Sequence, residues 1–424
     1  MKKDYLLTSE AACLLYEGYA KSLPIIDFHN HISVKDIKTD RCFKSITELW
    51  LSSDPYKHRL MRIYGVDEFY ITGKATDYQK FEKFAKIFPE LVGTPVYDWS
   101  RMELSLIFGV DELLCEENAA RIYELANSKL MQPGFSNNEI LQRFNIEYQS
   151  PVFSLADELS GMSVDGLAPS LRGDNLLVPN EQIKQMIEAK SGVAVTDEHS
   201  YFQAISALLS EFHTAGCRFA DHALDDGFFE DSEKTEYLIR LAGEYSKLGW
   251  TLLLHLGAKR KTSDRLRVLA GAAGGYAAVG NSFDVSALCD TLAEMERRGG
   301  LPKIVLFPLN MSDIPALSVL SGSFSEDGVA AKIQLGPAWW WCDHYYGIRS
   351  ALDSIASFGV LSQFIGMTTD SRSILSFVRH DYFRRVLCSW LAEKNERESW
   401  DWDISALGKI VRKICYENAK ERII

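Results

Sequence analysis

Paired cysteines, long apolar runs and a surplus of positive charge are all missing from this chain of 424 residues. Its eight cysteines, at 13, 42, 115, 217, 289, 342, 388 and 415, form no Cys-x-x-Cys pair. They are too sparse for a disulfide-stapled domain, so a reducing compartment is expected. No stretch reaches the roughly 18 uncharged apolar residues of a membrane span. Asp4, Glu10 and Glu17 interrupt the first residues, leaving no apolar segment of the kind a secretory signal carries. Lysine and arginine number 46 against 58 acidic residues, a formal charge of −12. That balance argues against nucleic acid as a partner. What is present, 46% hydrophobic and 25% charged residues, is the composition of an ordinary globular protein with a large core. A soluble cytoplasmic protein is expected, and a homo-oligomer is compatible with it.

Short apolar, β-branched runs followed by helical patterns mark parallel strands buried on both faces. Eight such runs occur, at 23–28, 145–149, 165–171, 217–220, 251–254, 303–307, 331–335 and 363–367. Eight strands alternating with helices predict an α/β fold of the (β/α)8 TIM-barrel type. Helical spacing is clear over 201–215, where Phe202, Ile205, Leu208, Leu209 and Phe212 fall on one face, and again over 380–392. A plain barrel takes about 250 residues. The excess lies largely between strand 1 and strand 2, and it reads as a helical insertion over one end of the barrel. The expected organisation is therefore an N-terminal helix and strand 1 in 1–32, a helical subdomain in 33–144, and the rest of the barrel in 145–424.

Active sites of such barrels lie at the C-terminal ends of the strands. Strand 1 ends in Asp27-Phe28-His29-Asn30-His31, strand 4 in Asp221-His222 and strand 5 in His255. Strand 7 leads to Asp343-His344, and strand 8 to Asp370-Ser371-Arg372. Five of the nine histidines thus fall at strand mouths. His29 and His31 are two apart on a strand, so both imidazoles point to one side and suit one metal ion. A bare His-x-His is by itself often an ordinary loop feature. Here Asp370 closes the eighth strand, the neighbour of the first in a closed barrel, which favours a metal site of His29, His31 and Asp370. Asp370 would alternatively cap the following helix.

Arg172, Arg260 and Arg372 follow strands 3, 5 and 8 and would share that face. Three guanidinium groups in an acidic protein suggest recognition of an anion, most simply a carboxylate. Singly, each is equally compatible with a surface salt bridge. Three adjacent indoles, Trp339, Trp340 and Trp341, cannot all be buried on one face; part of the run would wall a pocket, although aromatic clusters are more often simply core. The glycine-rich stretch 271–280 lacks the features of a phosphate loop and is assigned to a flexible loop.

Several segments together resemble the uronate isomerase family of the amidohydrolase superfamily. They are Pro24 through His31, Asp54-Pro55-Tyr56-Lys57, Gly216 through Asp225, His255-Leu256-Gly257-Ala258 and, most specifically, Gly366 through Arg385. The similarity runs from the N-terminal helix nearly to the C-terminus. It implies interconversion of D-glucuronate with D-fructuronate and of D-galacturonate with D-tagaturonate. It also implies one divalent metal, usually zinc, held by His29, His31 and Asp370. By position it gives catalytic roles to Asp370, Tyr56, His255 and Asp221, and substrate contacts to Arg172, Arg260, Arg372, Trp339 and Trp340. Two departures stand out. Pro55 occupies a place where many members carry His, and Pro308-Leu309-Asn310 follows strand 6 where hydrolases of the superfamily place a second metal-binding His. The competing reading is a one-metal hydrolase acting on an ester, lactone or amide of a sugar acid, since the same ligands would activate water.

Overall fold

The computed structural model describes residues 3–159 and 166–423. Among the described residues nine strands form: β1 (Ile25–Asn30), β2 (Ile146–Phe153), β3 (Ser170–Arg172), β4 (Phe219–Leu224), β5 (Thr251–Leu256), β6 (Ala258–Lys259), β7 (Ala278–Val279), β8 (Lys303–Pro308) and β9 (Ile333–Leu335). Seven make one parallel, curled sheet in the order β1-β2-β3-β4-β5-β8-β9, and β6 pairs antiparallel with β7. Every residue of β1 and β5 is buried, as expected of parallel strands covered on both faces. Seven of the eight expected runs thus yield strands, although residue 165 of the third lies outside the described residues.

The eighth run, 363–367, forms no strand, so the sheet is an open half-barrel rather than a closed eight-stranded one. The reason is local. Gly366 adopts φ +85°, and a Cβ there would lie 2.0 Å from the Ile414 carbonyl oxygen, so the chain bends where a strand would run straight. Side chains replace the ladder. Gln334 of β9 accepts from the Ile365 amide at 2.9 Å, and Asn418 donates to the Phe364 carbonyl at 2.7 Å. On the other edge the His29 amide donates to Thr368 Oγ1 at 2.9 Å, and the Thr369 amide to Asp27 at 2.7 Å. The segment spans both sheet edges without pairing with either.

Helices fill the interval between β1 and β2. Pro55–Tyr64 matters most for the site. Asp54 caps it by accepting from the Tyr56 and Lys57 amides, with Pro55 in the first turn, where its missing N–H costs nothing. Pro95–Phe108 packs behind it, burying Trp99 and Glu103. The helix Glu198–Thr214 covers the expected segment. Val378–Glu398 is buried on nearly all sides as far as Ala392, which makes it a central rather than a surface helix. Among the described residues no helix is long and apolar enough to cross a membrane.

Candidate active site

A cleft of about 700 Å³ opens at the C-terminal ends of the parallel strands. His29, His31, His255 and Asp370 line it, together with Tyr56, Arg172, Arg260, Arg372, Trp339 and Trp340. Asp221 does not reach the cleft wall; it is buried behind, 3.9 Å from His255 Nδ1 and 3.6 Å from Arg172 Nη1. Two of the strand-mouth histidines stay away. His222 turns inward to the Tyr245 hydroxyl at 3.0 Å, and His344 caps the helix Tyr345–Phe358.

Asp370 sits in the left-handed region at φ 47°, a conformation that a non-glycine residue holds only when its surroundings enforce it. Its amide donates to the His29 carbonyl at 3.1 Å, and the His31 amide donates to the Ser371 carbonyl at 2.9 Å. These two bonds tie the end of β1 to the segment that replaces strand 8. Asp370 Oδ1 then lies 3.2 Å from His29 Nε2 and 3.1 Å from His31 Nε2, and Trp339 Nε1 donates to the other carboxylate oxygen. Burial opposes the charge on Asp370, but His29 and His31 overcome that and hold it well below the usual carboxylate range.

The sets His29, His31, Asp370 and His29, Asp221, His255 each bring their ligand atoms within 4.8 Å of one another. Neither nitrogen of His29 makes an aligned hydrogen bond, nor does His255 Nε2 or either oxygen of Asp221. Buried polar atoms are seldom left so. Imidazole and carboxylate donors converging in this way fit a divalent cation. No histidine follows β8: Asn310 there caps the next turn by accepting from the Ser312 amide at 3.1 Å, in keeping with a one-metal site.

His255 stacks on Phe307 with ring centroids 4.5 Å apart and lies 4.5 Å from Trp339. Burial holds it well below the usual imidazole range, so it is neutral. Trp340 stacks on Trp341 at 4.8 Å, and the Arg260 guanidinium lies 5.6 Å from the Trp340 ring. Arg172 pairs with Asp174 at 2.9 Å and Arg260 with Asp225 at 3.0 Å. Arg372 has no carboxylate partner among the described residues; burial and the neighbouring Arg172 and Arg260 cations lower its pKa while Asp370 raises it.

Tyr56 enters the cleft on the first turn of Pro55–Tyr64. The loop between β6 and β7 closes over it: a Cβ on Gly275, at φ +79°, would lie 2.2 Å from the Pro55 carbonyl oxygen. The glycine stretch therefore does more than a flexible loop, since only glycine permits this approach. Tyr56 Oη donates to Asp343 at 2.8 Å, and Arg379 Nη1 reaches the same oxygen at 3.4 Å. Sequence reasoning passed over both partners. Asp343 was visible at a strand mouth and Arg379 lay within the segment Gly366 through Arg385, but neither had been given a role.

A carboxylate–imidazole cluster at the strand ends of an α/β half-barrel, open to an arginine-rich cleft, defines an enzyme of the amidohydrolase type. A sequence model of the glucuronate isomerase family matches residues 1–237 and 230–422. The chain is 39% identical to a uronate isomerase of Caldanaerobacter subterraneus subsp. tengcongensis, over 99% of this chain and 98% of that protein. It is 38% identical to one of Geobacillus thermodenitrificans, over 98% and 97%. The crystal structure of a uronate isomerase from Thermotoga maritima superposes with a TM-score of 0.91 at 28% identity, covering 100% of this chain and 99% of that one. A glucuronate isomerase from Caulobacter crescentus shares the fold, with a TM-score of 0.88 at 23% identity over 100% and 96%. The chain belongs to the glucuronate isomerase family, and its activity is the aldose–ketose isomerisation of hexuronates. Membership sets the hydrolase reading aside.

Proposed function

We propose that the cleft interconverts D-glucuronate with D-fructuronate and D-galacturonate with D-tagaturonate by moving a proton from C2 to C1 through a cis-enediol. The observation that carries this reading is one cleft holding an ionised carboxylate between two imidazoles together with Arg172, Arg260 and Arg372. An anionic open-chain sugar needs both: a clamp for its distal carboxylate and a base near C2.

Asp370 is the base. Held far below its usual pKa it is ionised throughout the neutral range. It is correspondingly weak, so the acidity of C2–H must be raised by stabilising charge on the adjacent oxygen. His29, His31 and Asp370 would hold one divalent cation, for which zinc suits the donor set; when bound it supplies Lewis-acid stabilisation of negative charge on oxygen. Tyr56 handles a proton at a substrate oxygen. Neutral His255 and buried Asp221 support the imidazole cluster, and His29, His31 or His255 assists ring opening. Arg172, Arg260 and Arg372 take the substrate carboxylate, with Trp339 and Trp340 walling the sugar. Scattered unpaired cysteines and the acidic composition support a cytoplasmic enzyme with no nucleic-acid partner.

The test is turnover of each uronate by metal-loaded wild-type enzyme and by Asp370→Asn. Wild type should form ketouronate from both substrates. The variant should remain folded and lose at least about 10³-fold in kcat, within the range for removal of a positioned base. Near-normal turnover in Asp370→Asn would take the base away from this residue.

A further inference from the structure

Behind Tyr56 lies a buried cluster to which the scheme above gives no task. Asp343 Oδ2 accepts from Tyr56 Oη at 2.8 Å and lies 3.4 Å from Arg379 Nη1. The same nitrogen donates to the Thr369 carbonyl at 3.3 Å, one residue before Asp370. The guanidinium stands 4.7 Å from the Tyr56 ring centroid and 4.0 Å from that of Trp99. Farther back, Lys57 Nζ pairs with Asp54 at 2.7 Å and with Glu103 at 3.3 Å, and Trp50 donates to Glu103. All five charged groups are buried. Two cations, Lys57 and Arg379, thus face three carboxylates, Asp54, Glu103 and Asp343. An uncompensated buried charge is costly, so the cluster has room for one proton. Burial, opposed by Arg379, pushes Asp343 up to about 7, and burial also raises Glu103. Of these two, only Asp343 is hydrogen-bonded to a residue of the cleft wall.

The direction of the hydrogen bond decides what Tyr56 offers. A phenol has one hydrogen, and this one points at Asp343. Toward the cleft the oxygen therefore presents lone pairs, and it accepts from a substrate hydroxyl rather than donating to it.

We propose that Tyr56 and Asp343 form a proton relay in which Asp343, out of reach of the substrate, stores the proton that Tyr56 takes from a substrate hydroxyl and later returns. The relay rests on the isomerase reading. In the outward step the substrate O–H bond breaks as its proton joins Tyr56 Oη, while the Tyr56 O–H bond breaks and Asp343 Oδ2 gains that proton. Negative charge passes from Asp343 to the substrate oxygen, and Tyr56 is neutral before and after. The return step reverses both transfers onto the oxygen that bears charge once the proton has moved between C2 and C1. No net proton is consumed, as an isomerisation requires. Arg379 is a positioning residue: it orients the Asp343 carboxylate and, through Thr369, the backbone that presents Asp370.

The test is steady-state kinetics against pH with the metal-loaded enzyme, for wild type, Asp343→Asn, Tyr56→Phe and the double variant. Asp343→Asn should lower kcat by about 10²-fold or more with KM within about threefold. Both single variants should lose a limb that wild type shows near pH 7, and the double variant should be no slower than the slower single one. Tyr56, Arg379, Tyr382 and Asp370 all act on Asp343, so the limb is assigned by its loss in both variants. Should Asp343→Asn fail to fold, Tyr56→Phe decides, because it leaves the Asp343–Arg379 pair in place and must still lose the limb. An unchanged limb in Tyr56→Phe, a kcat for Asp343→Asn within about threefold of wild type, or losses that multiply in the double variant would overturn the relay. Absence of wild-type turnover on both uronates would instead overturn the isomerase reading, and the relay with it.

Discussion

Among the described residues Arg372, unlike Arg172 and Arg260, has no carboxylate partner. Arg172 and Arg260 each hold an aspartate, at 2.9 and 3.0 Å, while Arg372 is exposed and under the repulsion of both. An incoming carboxylate relieves that repulsion, and a charge-assisted bond of this kind contributes about 1.5–3 kcal/mol. Arg372→Gln should therefore raise KM roughly 10- to 100-fold and leave kcat nearly unchanged, as expected for loss of uniform binding. An unaltered KM would place the clamp on Arg172 and Arg260 alone. At this scale the sequence was informative where one element carried the chemistry: His29 and His31 share a strand end, and Asp370 closes an apolar run. It was silent where partners come from different elements. Nothing in the spacing of Tyr56, Asp343 and Arg379 announces that they meet, because their contact depends on how two helices and a strand-end loop are packed.

The segment 363–370 shows how an element can be read correctly as apolar and misread as a strand. Its run Phe364, Ile365, Met367 is buried, which periodicity captures. The glycine inside it was the physical signal to the contrary, since an isolated glycine in a strand pattern marks a bend or a close backbone approach. Both occur at Gly366, at φ +85° and against the Ile414 carbonyl. Gly366→Ala should accordingly destabilise the protein by roughly 2 kcal/mol or more. Four residues from Asp370, it should also lower kcat, because the bend sets where the left-handed turn falls. A denaturation midpoint equal to that of wild type would show that the segment has slack. The hairpin of β6 and β7 was beyond periodicity altogether, being two residues on each side. The first turn of Pro55–Tyr64, by contrast, was written plainly: Asp54 as cap and Pro55 after it.

At the scale of the molecule, a net charge of −12 coexists with a cleft in which Arg372 lacks a carboxylate partner among the described residues and whose strand-end imidazoles and carboxylates fit a divalent ion. The net charge of the chain and the arginines that line the cleft are thus separate properties. The edge of β1 is finished by two backbone hydrogen bonds, from the Asp370 amide to the His29 carbonyl and from the His31 amide to the Ser371 carbonyl, that fix Asp370 beside His29 and His31, and the helices after β1 bring Tyr56 into the same cleft. Proton transfer from C2 by Asp370 in a hexuronate isomerase can be followed with deuterium placed at C2 of D-glucuronate and carried through the metal-loaded enzyme in ordinary water. D-Fructuronate should carry the label partly at C1, with the remainder lost to solvent. Quantitative transfer of the label to C1, in the manner of a hydride shift, would rule out the enediol route.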